Sequence, residues 1–420
     1  MFKKFIFIIL LFTIILPSNI YASTNSLARI GNNYYDTLSD AIANAKSNET
    51  IILTTNIKED NTLIINKTVN IDLNGKNITA PEKVFLVEGG SLNLTGKGTI
   101  KEESPNYGAI MIKGSTDPNA PNYSTLTVGS DITLEGWSGI FITHNNSKSY
   151  GVKVDFSGNI NAISDTSGGE GIGIYVNGNI KEKTNVPIVN IKDGANITSN
   201  GNGLYIAGYS IFNIGESTIS GLESGIGIKS GILNITGATI ICNGEDATPT
   251  EGYNNGIKHS GTAIQIESNN GYAGNMELNI KSGNFKSKNS NVIYEYIGRG
   301  SNTMVNSIDI TGGTFISDSN KEVLRFSDSF KNKHNNFIKG GKYSSNPTNY
   351  LDIGYKVVED NKLYSVIKST YKSTTGNNVE VKYNDNNFTI WLVIISSIVI
   401  LLVFIIFFNK KKIINIFKAR

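Results

Sequence analysis

The sequence predicts an all-β chain wound as a parallel β-helix, and three observations carry that prediction. A short phrase recurs through the middle of the chain: apolar, Asn or Asp, apolar, then Gly within a few residues. A second phrase, Gly or Ala followed by apolar–x–apolar, alternates with it. Where no insertion intervenes, the first phrase returns after 21 or 22 residues, from Gly75 to Gly96, Gly194 to Gly215 and Gly215 to Gly237. Period-two apolarity over so few residues is short strand, not helix. Two or three such strands per repeat, with longer intervals where loops are inserted, describe the coil of a solenoid. A leucine-rich repeat has a similar period, but it needs a Leu-x-x-Leu-x-Leu framework with a fixed Asn, and its length varies less.

Composition agrees. The 420 residues include 55 Asn and 43 Gly but only 8 Pro, and 39% are hydrophobic. Asn and Gly belong in turns, so the chain turns often, which argues against a helical bundle. One cysteine excludes an intramolecular disulfide framework, and no Cys/His spacing suggests zinc. A net charge of +3 is too slight to argue for nucleic acid.

In chain order, residues 1–22 read as a signal peptide. Lys3 and Lys4 precede the apolar stretch Phe5 to Leu16, Pro17 breaks it, and Ile20-Tyr21-Ala22 supplies a cleavage site. Residues 23–367 form the predicted ectodomain. Its cap, about 30–55, holds a short helix: Thr37 with Asp40 resembles a capping box, and Leu38, Ala41, Ile42 and Ala45 share one face. The coils follow, written in the first phrase at Ile71-Asp72-Leu73, Leu92-Asn93-Leu94, Val154-Asp155-Phe156, Val189-Asn190-Ile191, Phe212-Asn213-Ile214, Leu233-Asn234-Ile235, Leu278-Asn279-Ile280 and Ile308-Asp309-Ile310. A terminal hairpin is expected at about 340–367, then a polar linker, 368–387.

Phe388 to Phe408 is 21 residues without a charge. As a helix it covers about 31 Å, the thickness of a hydrocarbon core, and is expected to span the membrane. The tail 409–420 carries Lys410, Lys411, Lys412, Lys418 and Arg420 and no acid, which places it in the cytoplasm and the ectodomain outside. Seven of the 38 basic residues lie in the signal and tail, leaving 31 against 35 acidic ones, net −4. The overall basicity therefore reports topology, not an anionic partner.

Tyr35-Asp36-Thr37-Leu38 with Ala41-Ile42, then Thr50-Ile51-Ile52-Leu53 and Ile71-Asp72-Leu73-Asn74-Gly75-Lys76, resembles the opening of bacterial surface proteins of the pectate-lyase-like right-handed parallel β-helix superfamily. Gly340-Gly341-Lys342-Tyr343-Ser344 and Gly354-Tyr355-Lys356-Val357-Val358-Glu359-Asp360 are similar to their closing segment. The resemblance covers roughly 30–366. It implies the right-handed coil and an extracellular, bacterial setting. Enzymes of that superfamily act on acidic polysaccharides, but the paired-Asp, Gly-His-Gly and Arg-x-Lys motifs of its hydrolases are absent here.

Candidate chemistry is sparse. Arg299 between Gly298 and Gly300 is expected to be a solvated turn, and His144, His259 and His334 are isolated in polar loops. Glu245, Asp246 and Glu251 share an insertion, and Cys242 follows Ile240-Ile241 as a small core residue. No metal or cofactor is expected. If the apolar residues of each phrase point inward, the first phrase displays a ladder of Asn93, Asn190, Asn213, Asn234 and Asn279. The second displays Met111, Phe141, Tyr175, Tyr205, Gly227 and Gln265. The stripe Phe141, Tyr175 and Tyr205, with His144 beside it, is the expected ligand site, since aromatic faces spaced along a groove suit sugar rings or partner chains; inserted loops folding over it are the alternative.

The expected function is that of a membrane-anchored extracellular β-helix that binds glycan or a surface partner without catalysis. A membrane-tethered polysaccharide lyase or glycosidase, and a passive structural envelope protein, are the other two readings. About a dozen coils give a rod of roughly 60 Å, and the linker adds about 25 Å, so the protein is expected to work close to the membrane.

Overall fold

The computed structural model describes residues 26–103, 107–143, 148–163, 171–178, 180, 183–247, 260–272 and 275–369. The signal segment, the apolar segment 388–408 and the basic tail lie outside these residues. Among the described residues no helix is long and apolar enough to cross a membrane.

The chain winds through three strand-bearing faces per coil, and each strand pairs in parallel with the strands one coil before and after. This is the pairing of a parallel β-helix. The first phrase builds the first face, where Ser91–Thr95, Ser124–Val128, Val152–Phe156, Ile188–Ile191 and Ile211–Ile214 pair in sequence. The second face follows each corner, with Gly98–Glu102, Ile132–Gly136, Asn159–Ala162, Asn196–Ser199 and Thr218–Gly221 in order. The second phrase builds the third face, a sheet of ten strands running from Leu63–Ile65 to Leu324–Arg325. Ten rungs, not a dozen, give a coil stack of roughly 45–50 Å. The difference arises at both ends, where antiparallel pieces replace coils.

Glycine in the first phrase has a specific task at the corner. Gly96 sits at φ 72°, and a Cβ there would meet Asp72 Oδ1 from the coil below at 1.9 Å. The chain turns there only because the side chain is missing.

Alternating residues fill the interior with columns of Ile, Leu and Val, nearly all fully buried. Toward the C-terminal end an inward column becomes aromatic: Phe285, Phe315 and Tyr343 stack with ring centroids 4.6 and 4.9 Å apart. Cys242 is buried in line with Gly221 and Ser287, and burial pushes its thiol up to about 12.

The predicted cap helix runs Leu38–Asn44 and buries Leu38, Ala41 and Ile42. Thr37 Oγ1 accepts from the Asp40 amide at 3.0 Å, but the Asp40 carboxylate accepts the Thr37 hydroxyl in return, not the backbone N–H of a full capping box. The helix does not cover the open edge alone. Ala28–Ile30 lies antiparallel between Asn33–Tyr35 and Thr50–Leu53, which ends parallel propagation. At the other end, Tyr355–Asp360 and Leu363–Lys368 form the predicted hairpin, joined by Asn361 and Lys362, both at positive φ. Its second strand docks antiparallel on Lys342–Tyr343. A short helix, Asp328–Lys331, drives Phe330 against Phe326 and Phe337. His334 belongs to this plug, its Nε2 lying 3.1 Å from Val305 O.

Candidate functional site

On the third face the outward positions form two adjacent rows. The first runs Ile64, Leu86, Met111, Phe141, Tyr175, Tyr205, Gly227, Gln265, Tyr294 and Arg325, each in register with the next. The structure thus brings Phe141, Tyr175 and Tyr205 together as the sequence predicts. Phe141 meets Tyr175 edge-on at 4.6 Å, and Tyr175 stacks on Tyr205 at 4.9 Å. The stripe is not open, however. Tyr175 is 7% exposed and Tyr205 1%, packed with Ala207, Trp137 and Tyr272, and only Phe141 stays half-buried. Burial pushes the Tyr175 phenol up to about 12 and raises that of Tyr205 well above its usual value. His144 and residues 165–170 lie outside the described residues.

Beside the stack sits Glu102, 2% exposed. Burial pushes its carboxyl up to about 8, although the Tyr107 and Trp137 amides donate to it at 2.7 and 3.3 Å.

The second outward row carries a cluster that the sequence patterns did not single out. Lys229 and Glu267 occupy equivalent positions on successive rungs, one residue beyond the paired Ile228 and Ile266. Lys229 Nζ lies 3.1 Å from Glu267 Oε2, with the two side chains 0% and 7% exposed. Tyr296 OH donates to the same oxygen at 2.9 Å, and Asn269 Nδ2 donates to Glu267 Oε1 at 2.7 Å. The Lys229 ammonium also lies 4.6 Å from the Tyr272 ring and 5.5 Å from that of Tyr205. Burial drives the Tyr296 phenol far above its usual range, with the Glu267 carboxylate adding to the effect. Two backbone features make room. A register shift between Ser268 and Asn269 re-aims Asn269. Gly298 leaves space for the carboxylate, since a Cβ there would lie 2.6 Å from Glu267 Cγ and Oε1. Nothing in the local sequence announces the cluster, because Lys229 and Tyr296 lie 38 and 29 residues from Glu267, on neighbouring rungs.

The remaining candidates resolve as structural. Asp246 pairs with Lys321 and accepts from Ser290 Oγ at 2.6 Å. Arg299 is exposed, but it ends the strand Ile293–Arg299 opposite Asn269 instead of lying in a turn, and its carbonyl accepts from the Asn270 amide. Arg325 lies 4.5 Å from the Tyr294 ring. Glu251 and His259 lie outside the described residues. Among the described residues no group of three or more His, Cys, Asp or Glu is placed to hold a metal.

The first face is the open one. Asn190, Asn213, Asn234 and Asn279 stand in register, and each amide donates to the previous rung at 2.8–2.9 Å: Asn279 to Asn234, Asn234 to Asn213, Asn213 to Asn190 and Asn190 to Asp155. Asn93 makes the same bond to Asn70 at 2.9 Å, in a separate short run. Lys153 and Lys192 flank Asp155 at 3.1 and 3.2 Å. Burial raises this carboxyl, but the Asn190 amide and the two ammoniums outweigh it and hold it below the usual range. A depression of about 640 Å³ runs along these amides, bordered by Lys192, Asp193, Thr236 and Lys281.

No protein-family model matches the chain, and comparison with curated proteins and with solved structures finds no match.

Proposed function

We propose that this chain is a membrane-anchored extracellular protein of a bacterial envelope, a right-handed β-helix of the pectate-lyase-like kind. In this reading it binds a hydroxyl-rich glycan without transforming it. The observation that carries the reading is the open amide face. Asn190, Asn213 and Asn234 each use one N–H and one acceptor site along the ladder and keep a second of each. Groups that both donate and accept, repeated at the rung spacing of about 4.8 Å, suit hydroxyls repeated along an extended polymer. The aromatic stripe supports the fold instead, since Tyr175 and Tyr205 are out of solvent. The charged pair Lys229–Glu267 is likewise enclosed and satisfied from within, which favours binding over catalysis. Residues 1–22 and 388–408 support the anchored topology.

A glycan array probed with the detergent-solubilised full chain tests this. Binding that is lost in an Asn213→Leu, Asn234→Leu variant and kept in Tyr175→Phe supports the amide face. Equal binding by both variants refutes it. Labelling of a tag placed after Ala22 on intact cells and on cells stripped of wall tests the location, and a tag reached only from the cytoplasm overturns it.

A further inference from the structure

The geometry points to a spontaneous covalent cross-link: we infer that the Lys229 side chain condenses with the Asn269 carboxamide to form an isopeptide bond, with Glu267 as the proton carrier. Three contacts tie these groups together, two of them on one carboxylate, that of Glu267. Its Oε2 holds the Lys229 amine at 3.1 Å, its Oε1 holds the Asn269 amide nitrogen at 2.7 Å, and the acceptor end of that amide is also engaged. The Gly271 backbone N–H donates to Asn269 Oδ1 at 2.9 Å, which polarises the carbonyl and stabilises negative charge developing on its oxygen. The nucleophile, the acid–base group and the electrophile are thus supplied by one chain and held by one sheet. That arrangement raises their effective concentration far above that of free groups.

The surroundings suit the chemistry. Lys229 is fully buried against the rings of Tyr205 and Tyr272, and Tyr296 closes the other side of the carboxylate. The site was also built at a cost to regular structure, through the register shift that re-aims Asn269 and the glycine that makes room for Glu267.

The steps balance without a further reactant. Glu267 takes a proton from the Lys229 ammonium, which leaves a neutral amine and a carboxylic acid. The amine nitrogen attacks Asn269 Cγ, and the carbonyl electron pair moves onto Oδ1. Glu267 gives its proton to Nδ2 and takes one from the attacking nitrogen. The Cγ–Nδ2 bond then breaks as the carbonyl re-forms, and ammonia leaves. The Nζ–Cγ bond is an amide, Glu267 ends carrying one proton, and the departing ammonia can remove it as ammonium. A buried ion pair, costly to keep desolvated, is replaced by a neutral bond.

The bond joins two successive rungs of the third face and closes a loop of 40 residues, from Lys229 to Asn269, around the insertion that follows Cys242. In a chain with one cysteine it supplies the covalent tie that a disulfide cannot.

Peptide mapping of the full chain, purified from membranes, denatured and digested with trypsin, tests the inference. Trypsin is expected not to cut after Lys229. The peptides 193–258 and 259–281 should be recovered joined, at their summed mass less one ammonia, with fragment ions locating the bond at Lys229 and Asn269. The Glu267→Gln variant keeps both reacting groups and is expected to yield them unjoined. Separate unmodified peptides from the native chain overturn the inference, whatever the variants do. A joined species lighter by one water overturns it too, because the bond would then run to the Glu267 carboxyl.

Discussion

Asn213 Nδ2 donates to Asn190 Oδ1 at 2.8 Å across a gap of 23 residues. Every amide in this four-residue run points the same way, and the run ends on the Asp155 carboxylate between two lysines. A directional chain of this kind tolerates removal of a member better than reversal of its polarity. Asn213→Ala deletes two exposed bonds and is expected to cost about 1 kcal/mol. Asn213→Asp still accepts from Asn234 but sets a carboxylate against the Asn190 carbonyl oxygen, so it should cost more. Urea unfolding decides, and an Asp variant as stable as the Ala variant would show that the ladder has no polarity.

The Tyr175–Tyr205 stack makes the opposite kind of prediction. Tyr175→Ala empties a buried site between two aromatic neighbours and is expected to cost about 3–5 kcal/mol. Tyr175→Phe loses only a long contact from the hydroxyl to Asn177 Oδ1 at 3.5 Å and should unfold within about 1 kcal/mol of the native chain. If Tyr175→Ala leaves the denaturation midpoint unchanged, the ring does not support the third face.

The coil was legible in the sequence because each rung carries its own period-two pattern and its own corner glycine, as Leu92 to Gly96 shows. Register was legible too from Leu92 onward, because equivalent phrase positions must stack; the first copy is the exception, since Asp72 pairs with Thr95 and Asn70 stands opposite Asn93. Exposure was not. Alternation says that Tyr175 points away from the coil interior, but not that Trp137 and Tyr272 return to bury it. The antiparallel strand Ala28–Ile30 was missed because three residues carry no usable period. The Lys229–Glu267–Asn269 cluster was hidden for a different reason. Glu267 and Asn269 share one strand, but Lys229 belongs to the rung before, and only the pairing of Ile228 with Ile266 brings it to them.

Glu102 gives the pH dependence a definite sign. Its carboxyl is raised to about 8 in the fold from an ordinary value of 4.5, so the folded chain holds a proton that the unfolded chain has lost. The stability this group contributes is complete below about pH 4.5 and falls as pH rises, until it is gone above about 8. Glu102→Gln keeps an acceptor for the Tyr107 or Trp137 amide and cannot ionise. Thermal unfolding between pH 5 and 8 should therefore fall less steeply in the variant than in the native chain. Parallel curves would mean that Glu102 is ionised throughout.

Gly298 tests whether the space around Glu267 matters by itself. An alanine Cβ would lie 2.6 Å from Glu267 Cγ and Oε1, in a pocket where that side chain is 7% exposed. The Glu267 side chain must then shift within a packed pocket, and overpacking of this kind typically costs about 1–3 kcal/mol. Gly298→Ala is thus expected to be destabilising by that amount in the native background. In a Glu267→Ala background the clashing atoms are gone, and the same substitution should cost less than about 1 kcal/mol, the usual cost away from a packed site. Unfolding of the four chains of this cycle measures the coupling directly. Equal costs of Gly298→Ala in both backgrounds would show that the glycine serves the backbone of the register shift and not the carboxylate.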